Sequence, residues 1–190
     1  MQVTQYYTAA TLDGFIADED NSLQWLFDVP EVEGPENDPG WDGFLGAVGA
    51  LAMGATTWEW VVAHEDLTSH PERWSAAYGQ RPCWVFSHHD RSVAPGLDVR
   101  FVVGDVRPVH EQMRAAAGDR NLWVVGGGDL AGQFYDAGLL DEMVVTIAPV
   151  TLGAGAPLLP RRIEGMRLVE VSRSGQMVAL TYALRSAARH

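Results

Sequence analysis

VVGGGDLAGQFYDAG, residues 124–138, is the stretch that decides the fold. It opens on two β-branched residues, breaks on three consecutive glycines, then resumes in a polar–apolar pattern that stops at Gly138. A buried strand, 122–125, therefore turns sharply into a helix over 129–137. Glycines let the backbone turn tightly and present N–H groups with no side chain in the way. The helix behind them offers a positive end to an anion such as a pyrophosphate. The spacing is not GxGxxG, so this is no Rossmann fingerprint. Asp129 reads as an N-cap that satisfies some of those helix donors itself. Taken alone, three glycines after a strand fit a plain tight turn as well as a phosphate site.

Working outward, strands and helices alternate. Residues 3–10 are strand-like and stop at the turn Thr11-Leu12-Asp13-Gly14. Residues 28–42 hold six acids, three prolines and no base, a loop long enough to be a lid. A short helix over 41–48 leads into a buried strand over 50–53 that breaks at Gly54, and Thr56 with Glu59 has the spacing of a capping box. Strands follow over 82–87 and 99–103, and a helix over 108–117 carries proline in its first turn. After the decisive stretch come a strand over 142–148 and a glycine-rich loop over 151–157. A hairpin then pairs 167–173 with 176–184 across Ser174-Gly175. The alternation predicts one α/β domain over 1–185 with a tail at 186–190. Its sheet is mostly parallel, with an antiparallel hairpin at one edge. In such sheets ligands sit at the carboxyl ends of the strands.

Composition excludes several classes of function. The formal charge of −12 disfavours nucleic acid and a polybasic membrane contact. No apolar run is long enough to cross a bilayer, and no secretory signal is visible at the start, so a cytoplasmic location is expected. Cys83 is the one cysteine, which rules out an internal disulfide and any zinc site of several thiolates; no metal is expected. All 13 basic residues other than histidine are arginine. The absence of lysine excludes Schiff-base chemistry and a Walker-type phosphate loop. His64, His70 and His110 lack ligand-like spacing and read as surface residues.

Two further segments invite chemistry. Met53-Gly54-Ala55-Thr56-Thr57-Trp58 again ends a strand at glycine and begins a helix with hydroxyl residues, which suits phosphate oxygens or an ordinary helix start. Ser87-His88-His89-Asp90-Arg91 is either an anion site, as for an adenosine 2′-phosphate, or a solvated loop.

In order and spacing these motifs resemble the dihydrofolate reductase fold, in the branch of the riboflavin-biosynthesis reductase domain and its small stand-alone relatives. The resemblance runs through Thr11-Leu12-Asp13-Gly14-Phe15-Ile16-Ala17, Met53 to Glu59, Val85-Phe86-Ser87, residues 124–138, Leu139-Leu140-Asp141-Glu142 and Leu152 to Leu158. It implies a three-layer α/β/α architecture around about eight strands. It implies NADPH, with NADH not excluded, as hydride donor to a C=N or C=C of a small heterocycle, and a homodimer. Residue by residue it implies that Ala9 and Ile16 frame the nicotinamide. Gly54, Thr56 and Thr57 would hold the phosphates from one side, and Gly126, Gly127, Gly128, Asp129 and Leu130 from the other. Ser87 and His88 would lie by the adenosine ribose and its 2′-phosphate. It also implies a cis Gly126–Gly127 peptide, and an aromatic near the active-site loop, here Trp25.

The departures are informative. Ala55 stands where folate reductases carry a basic residue. The Ala-Asp-Asn/Asp-Pro and Trp-Ile-Thr-Gly segments of the riboflavin enzyme are missing, which counts against 5-amino-6-(5-phosphoribosylamino)uracil as substrate. No carboxylate matches the one that binds pterin; Asp42 is the best-placed candidate catalytic residue, Asp38 and Asp13 the others. Asp42 equally fits a helix N-terminal acid, and Asp13 a turn. A non-catalytic dinucleotide-binding module and a flavin-binding protein are the competing readings.

Overall fold

The computed structural model describes residues 2–30, 40–89, 93 and 96–184. Most of the acidic segment, with Asp38 in it, and likewise Arg91 and the 186–190 tail, lie outside the described residues. In chain order the elements are β1 (Thr4–Thr11), β2 (Phe15–Ala17), α1 (Gln24–Phe27), α2 (Gly40–Ala47), β3 (Val48–Gly54), α3 (Ala55–His64), α4 (Glu72–Tyr78) and β4 (Cys83–Phe86). They continue with β5 (Val99–Val102), α5 (Val106–Ala117), β6 (Asn121–Gly126), α6 (Gly128–Asp136), β7 (Glu142–Ala148), β8 (Ala156–Pro157), β9 (Arg167–Ser174) and β10 (Met177–Ala183).

Eight strands form one sheet in the order β5-β4-β3-β6-β1-β7-β10-β9. From β5 to β7 every pairing is parallel, and β10 runs antiparallel to both its neighbours. The expected mostly parallel sheet with a C-terminal hairpin is therefore the observed one. The small residues of β3, VGALAMG, are buried almost throughout because helices cover both faces. A Cβ on Gly49 would stand 2.8 Å from the Ala117 backbone, so α5 packs directly on the strand. That face holds Val109, Met113, Leu130 and Phe134 from α5 and α6 against Tyr6, Leu122 and Val124. The opposite face holds Trp58, Val61 and Trp74 from α3 and α4 against Leu51, Met53 and Trp123. A second sheet of β2 and β8, and the helix α4, have no counterpart in the sequence reading. No helix among the described residues is long and apolar enough to cross a membrane.

Four local expectations are corrected. His110 is buried, at 8% exposure, because α5 turns it inward to the Thr4 hydroxyl at 2.9 Å. Thr56 and Glu59 do not form a capping box, since α3 starts two residues too early: its N-cap is Gly54. Asp129 is not an N-cap either; that position is Gly127, and the Asp129 carboxylate is drawn outward by Gln133 and Arg161. The Gly126–Gly127 peptide is trans, and the turn is made by Gly127 at φ 95°.

Candidate functional site

The parallel sheet brings the carboxyl ends of β3 and β6 side by side, with Met53 in register with Gly126. The two glycine-broken junctions, far apart in the chain, are thus neighbours. A Cβ added at Gly127 would lie 3.9 Å from the Gly54 Cα, and one at Gly126 would strike the Thr57 hydroxyl at 2.7 Å. Gly128 is still tighter, because a Cβ there would collide with the main chain of Pro157 and Leu158.

A cleft opens above these junctions in two lobes of about 360 Å³ and 280 Å³. Thr56, Thr57, Gly127 and Asp129 line both and form the waist between them. The larger lobe is lined by Thr8, Ile16 and Gly126 together with Trp60, Val61 and Tyr78. The smaller lies over Gly54, Ala55, Ser87, His88 and Leu130.

Both helices that begin at the waist lack a side-chain cap: α3 after Gly54 and α6 after Gly127. Their first-turn N–H groups have no intrahelical acceptor, and two helix dipoles add their positive ends there. By contrast α5, which starts away from the cleft, is capped by the Asp105 carboxylate accepting from the Arg107 N–H.

One acid stands at the waist. The Asp129 carboxylate accepts from Gln133 Nε2 at 2.9 Å and from Arg161 Nη2 at 3.0 Å. The Gln133 hydrogen bond first, then Arg161, hold its pKa below the ordinary carboxylate value. Arg161 in turn donates to Asp136 at 2.7 Å, which ties α6 to the segment after β8. The described lining of the larger lobe contains no arginine or histidine.

The structure gathers most of the expected site residues. Ile16, Gly54, Thr56, Thr57, Ser87, His88, Gly126, Gly127, Gly128, Asp129 and Leu130 all line one lobe or both. Ala9 is not among the lining residues; its neighbour Thr8 is. The candidate acids stand apart as well. Asp42 is exposed on α2 and lines neither lobe. Asp13 accepts from the Thr11 hydroxyl at 2.6 Å and from the Gly153 N–H at 2.7 Å, so it fastens the turn to the 151–153 loop. Those bonds, Thr11 first, lower its pKa. Trp25 is buried but outside both linings. Among the described residues no cluster of three or more histidines, cysteines or acids is placed to hold a metal.

Sequence reasoning missed the Trp60, Val61 and Tyr78 wall. Trp60 and Val61 follow Thr56 and Thr57 by one helical turn, a signal present in the spacing. Tyr78 comes from another helix and carries no such signal.

The family model described as the RibD C-terminal domain matches residues 3–180. Protein YwjB of Bacillus subtilis is 32% identical over 181 residues, covering 94% of this chain and 96% of that protein. The crystal structure of a Shewanella sp. PV-4 protein assigned to riboflavin biosynthesis superposes with a TM-score of 0.74 at 27% identity. That match covers 97% of this chain and 99% of the other. A diaminohydroxyphosphoribosylaminopyrimidine deaminase/5-amino-6-(5-phosphoribosylamino)uracil reductase from Thermotoga maritima shares the fold, with a TM-score of 0.60 at 16% identity. The match covers 97% of this chain and 57% of that one.

Proposed function

The chain belongs to the RibD C-terminal domain family, and from that premise we propose that it is a reductase holding a nicotinamide dinucleotide across the two lobes. The observation that carries this reading is the waist, where two uncapped helix N-termini face one cleft. A pyrophosphate there meets main-chain donors of α3 and α6 and the hydroxyls of Thr56 and Thr57. The smaller lobe takes the adenosine end against Ser87 and His88, and Ile16 and Thr8 flank the nicotinamide end in the larger. When bound, the dinucleotide supplies hydride. The chain's own part is to orient and to exclude water, which is the main resource of such a site. Neither Asp13 nor Asp42 lines the cleft, and both Asp129 oxygens are engaged, so solvent is the proton source this geometry favours.

NADPH is the proposed donor and a small uncharged heterocycle the proposed acceptor, with a homodimer in the cytoplasm as the working form. The phosphoribosylaminouracil of the Thermotoga relative fits less well, because the larger lobe offers its phosphate no cation among the described residues. Tryptophan quenching and thermal stabilisation by NADPH and by NADH test the reading. At a hundredfold excess over the dissociation constant linkage gives about 2.7 kcal/mol of stabilisation. Quenching together with NADPH consumption on a panel of cyclic imines supports a reductase, and quenching without consumption supports a non-catalytic binder. No response to either dinucleotide overturns both.

A further inference from the structure

Apart from Asp129, the lining of the larger lobe includes Leu23, Thr57, Trp60, Val61, Tyr78 and Val125, together termed its arm. Its walls are apolar or aromatic, and its polar groups are neutral. The one carboxylate in the described lining of the lobe, Asp129, is bonded to Gln133 and Arg161. The arginine adjoining the lobe in sequence, Arg161, is shared between Asp129 and Asp136. A charged ligand entering the arm loses water and gains no countercharge from the described residues.

Tyr78 ends α4, and its main-chain carbonyl is held by Arg81 Nη1 at 2.7 Å. Its ring packs on Trp74 at 4.6 Å and on Trp123 at 6.1 Å, which fixes its direction. Burial pushes the phenol's pKa well up, so it stays a neutral donor. Tyr78 is half-buried along the lobe, and its hydroxyl makes no hydrogen bond to a described residue, which leaves it free to donate to a ligand.

We propose that this arm binds an uncharged, unphosphorylated flat ring, and that the Tyr78 hydroxyl is the specificity-determining donor to an acceptor on that ring. The inference rests on the reductase reading of the same cleft and names its substrate class. It predicts recognition by shape and one hydrogen bond, with Trp60 contributing a flat aromatic surface.

Isothermal titration with three bicyclic probes tests it. Quinoline and naphthalene share a shape and differ by one acceptor nitrogen; 1-naphthyl phosphate adds a dianion. The wild-type protein should bind quinoline about five- to tenfold more tightly than naphthalene, and bind the phosphate not measurably. In Tyr78→Phe the quinoline-to-naphthalene ratio should fall to about one, while NADPH quenching is unchanged. A merely structural role for Tyr78 weakens both neutral probes alike and leaves the ratio intact. An unchanged ratio in Tyr78→Phe, a phosphate bound as tightly as quinoline, or no binding of quinoline each overturns the proposal. Failure of NADPH quenching in the wild type sinks the reductase reading instead, because the probe titrations need no dinucleotide.

Discussion

His110 and Gly128 show how much a single residue decides here. The His110 imidazole meets the Thr4 hydroxyl, and the Thr4 N–H donates to the Asp141 carboxylate at 2.9 Å. Burial first, and Arg114 second, lower the His110 pKa. The unfolded chain therefore takes up this proton at a higher pH than the native one. The resulting stability is complete above the ordinary histidine value of about 6.5 and declines as pH falls through it. Melting curves between pH 7.5 and pH 5 should show His110→Gln losing less stability on acidification than the wild type (both pH values roughly bracket the ordinary histidine range). Gly128 has no room for a methyl group beside Pro157 and Leu158. Gly128→Ala should keep the circular dichroism spectrum, lose about 1–3 kcal/mol of stability and abolish NADPH quenching. His88→Ala, at the mouth of the smaller lobe, should weaken NADPH about two- to fivefold and leave NADH unchanged. Equal loss for both dinucleotides would place His88 away from the 2′-phosphate.

Among the elements, the two helices that begin at the cleft lack side-chain caps, as α1 and α4 do, in contrast with α5. A cap stabilises a helix start by occupying its donors, so a helix that reserves those donors for an anion is less stable without it. The compensation lies in packing: Phe134 of α6 is fully buried in the sheet-facing core. Phe134→Ala should cost about 3–5 kcal/mol in urea unfolding. Arg81 joins three elements at once, donating to the carbonyls of Leu45, Val48 and Tyr78 at 2.5, 2.8 and 2.7 Å. Arg81→Ala should lower stability by about 2 kcal/mol and loosen the Tyr78 arm, so that both neutral bicyclic probes weaken together. The motif at Thr56 illustrates a limit of local reading. Its spacing fits a capping box, yet β3 runs on to Gly54 and carries the helix start with it.

At the scale of the molecule, the sheet has one face of its last strand open. Leu168, Val169 and Val171 of β9 are 48%, 49% and 56% exposed. An edge strand with unpaired main-chain groups and apolar side chains is a pairing surface unless it is covered. A second copy of the chain is the partner that the homodimer proposal assigns to it. Sedimentation should give a dimer for the wild type and a monomer for Val171→Glu, with NADPH quenching retained. A wild-type monomer would end that assignment.

What the sequence determined by itself was the order of elements and the pair of glycine junctions. Strand and helix periodicity, and the backbone freedom that glycine alone gives, are properties of short segments. The α/β alternation, the terminal hairpin and the two glycine junctions were legible for that reason, whereas the roles of Ile16, Ser87 and His88 came from the family resemblance and Trp60, Val61 and Tyr78 were missed. What only the tertiary structure decided was which surfaces came together. Parallel pairing set β3 beside β6 and so brought the two junctions to one waist. It turned His110 inward, spent Asp13 on fastening a loop, and left Asp42 on the surface. It also brought Tyr78, from a helix the periodicity did not reveal, into one lobe with Trp60 of another element. Contacts between residues distant in the chain depend on how whole faces pack, and no local pattern encodes that.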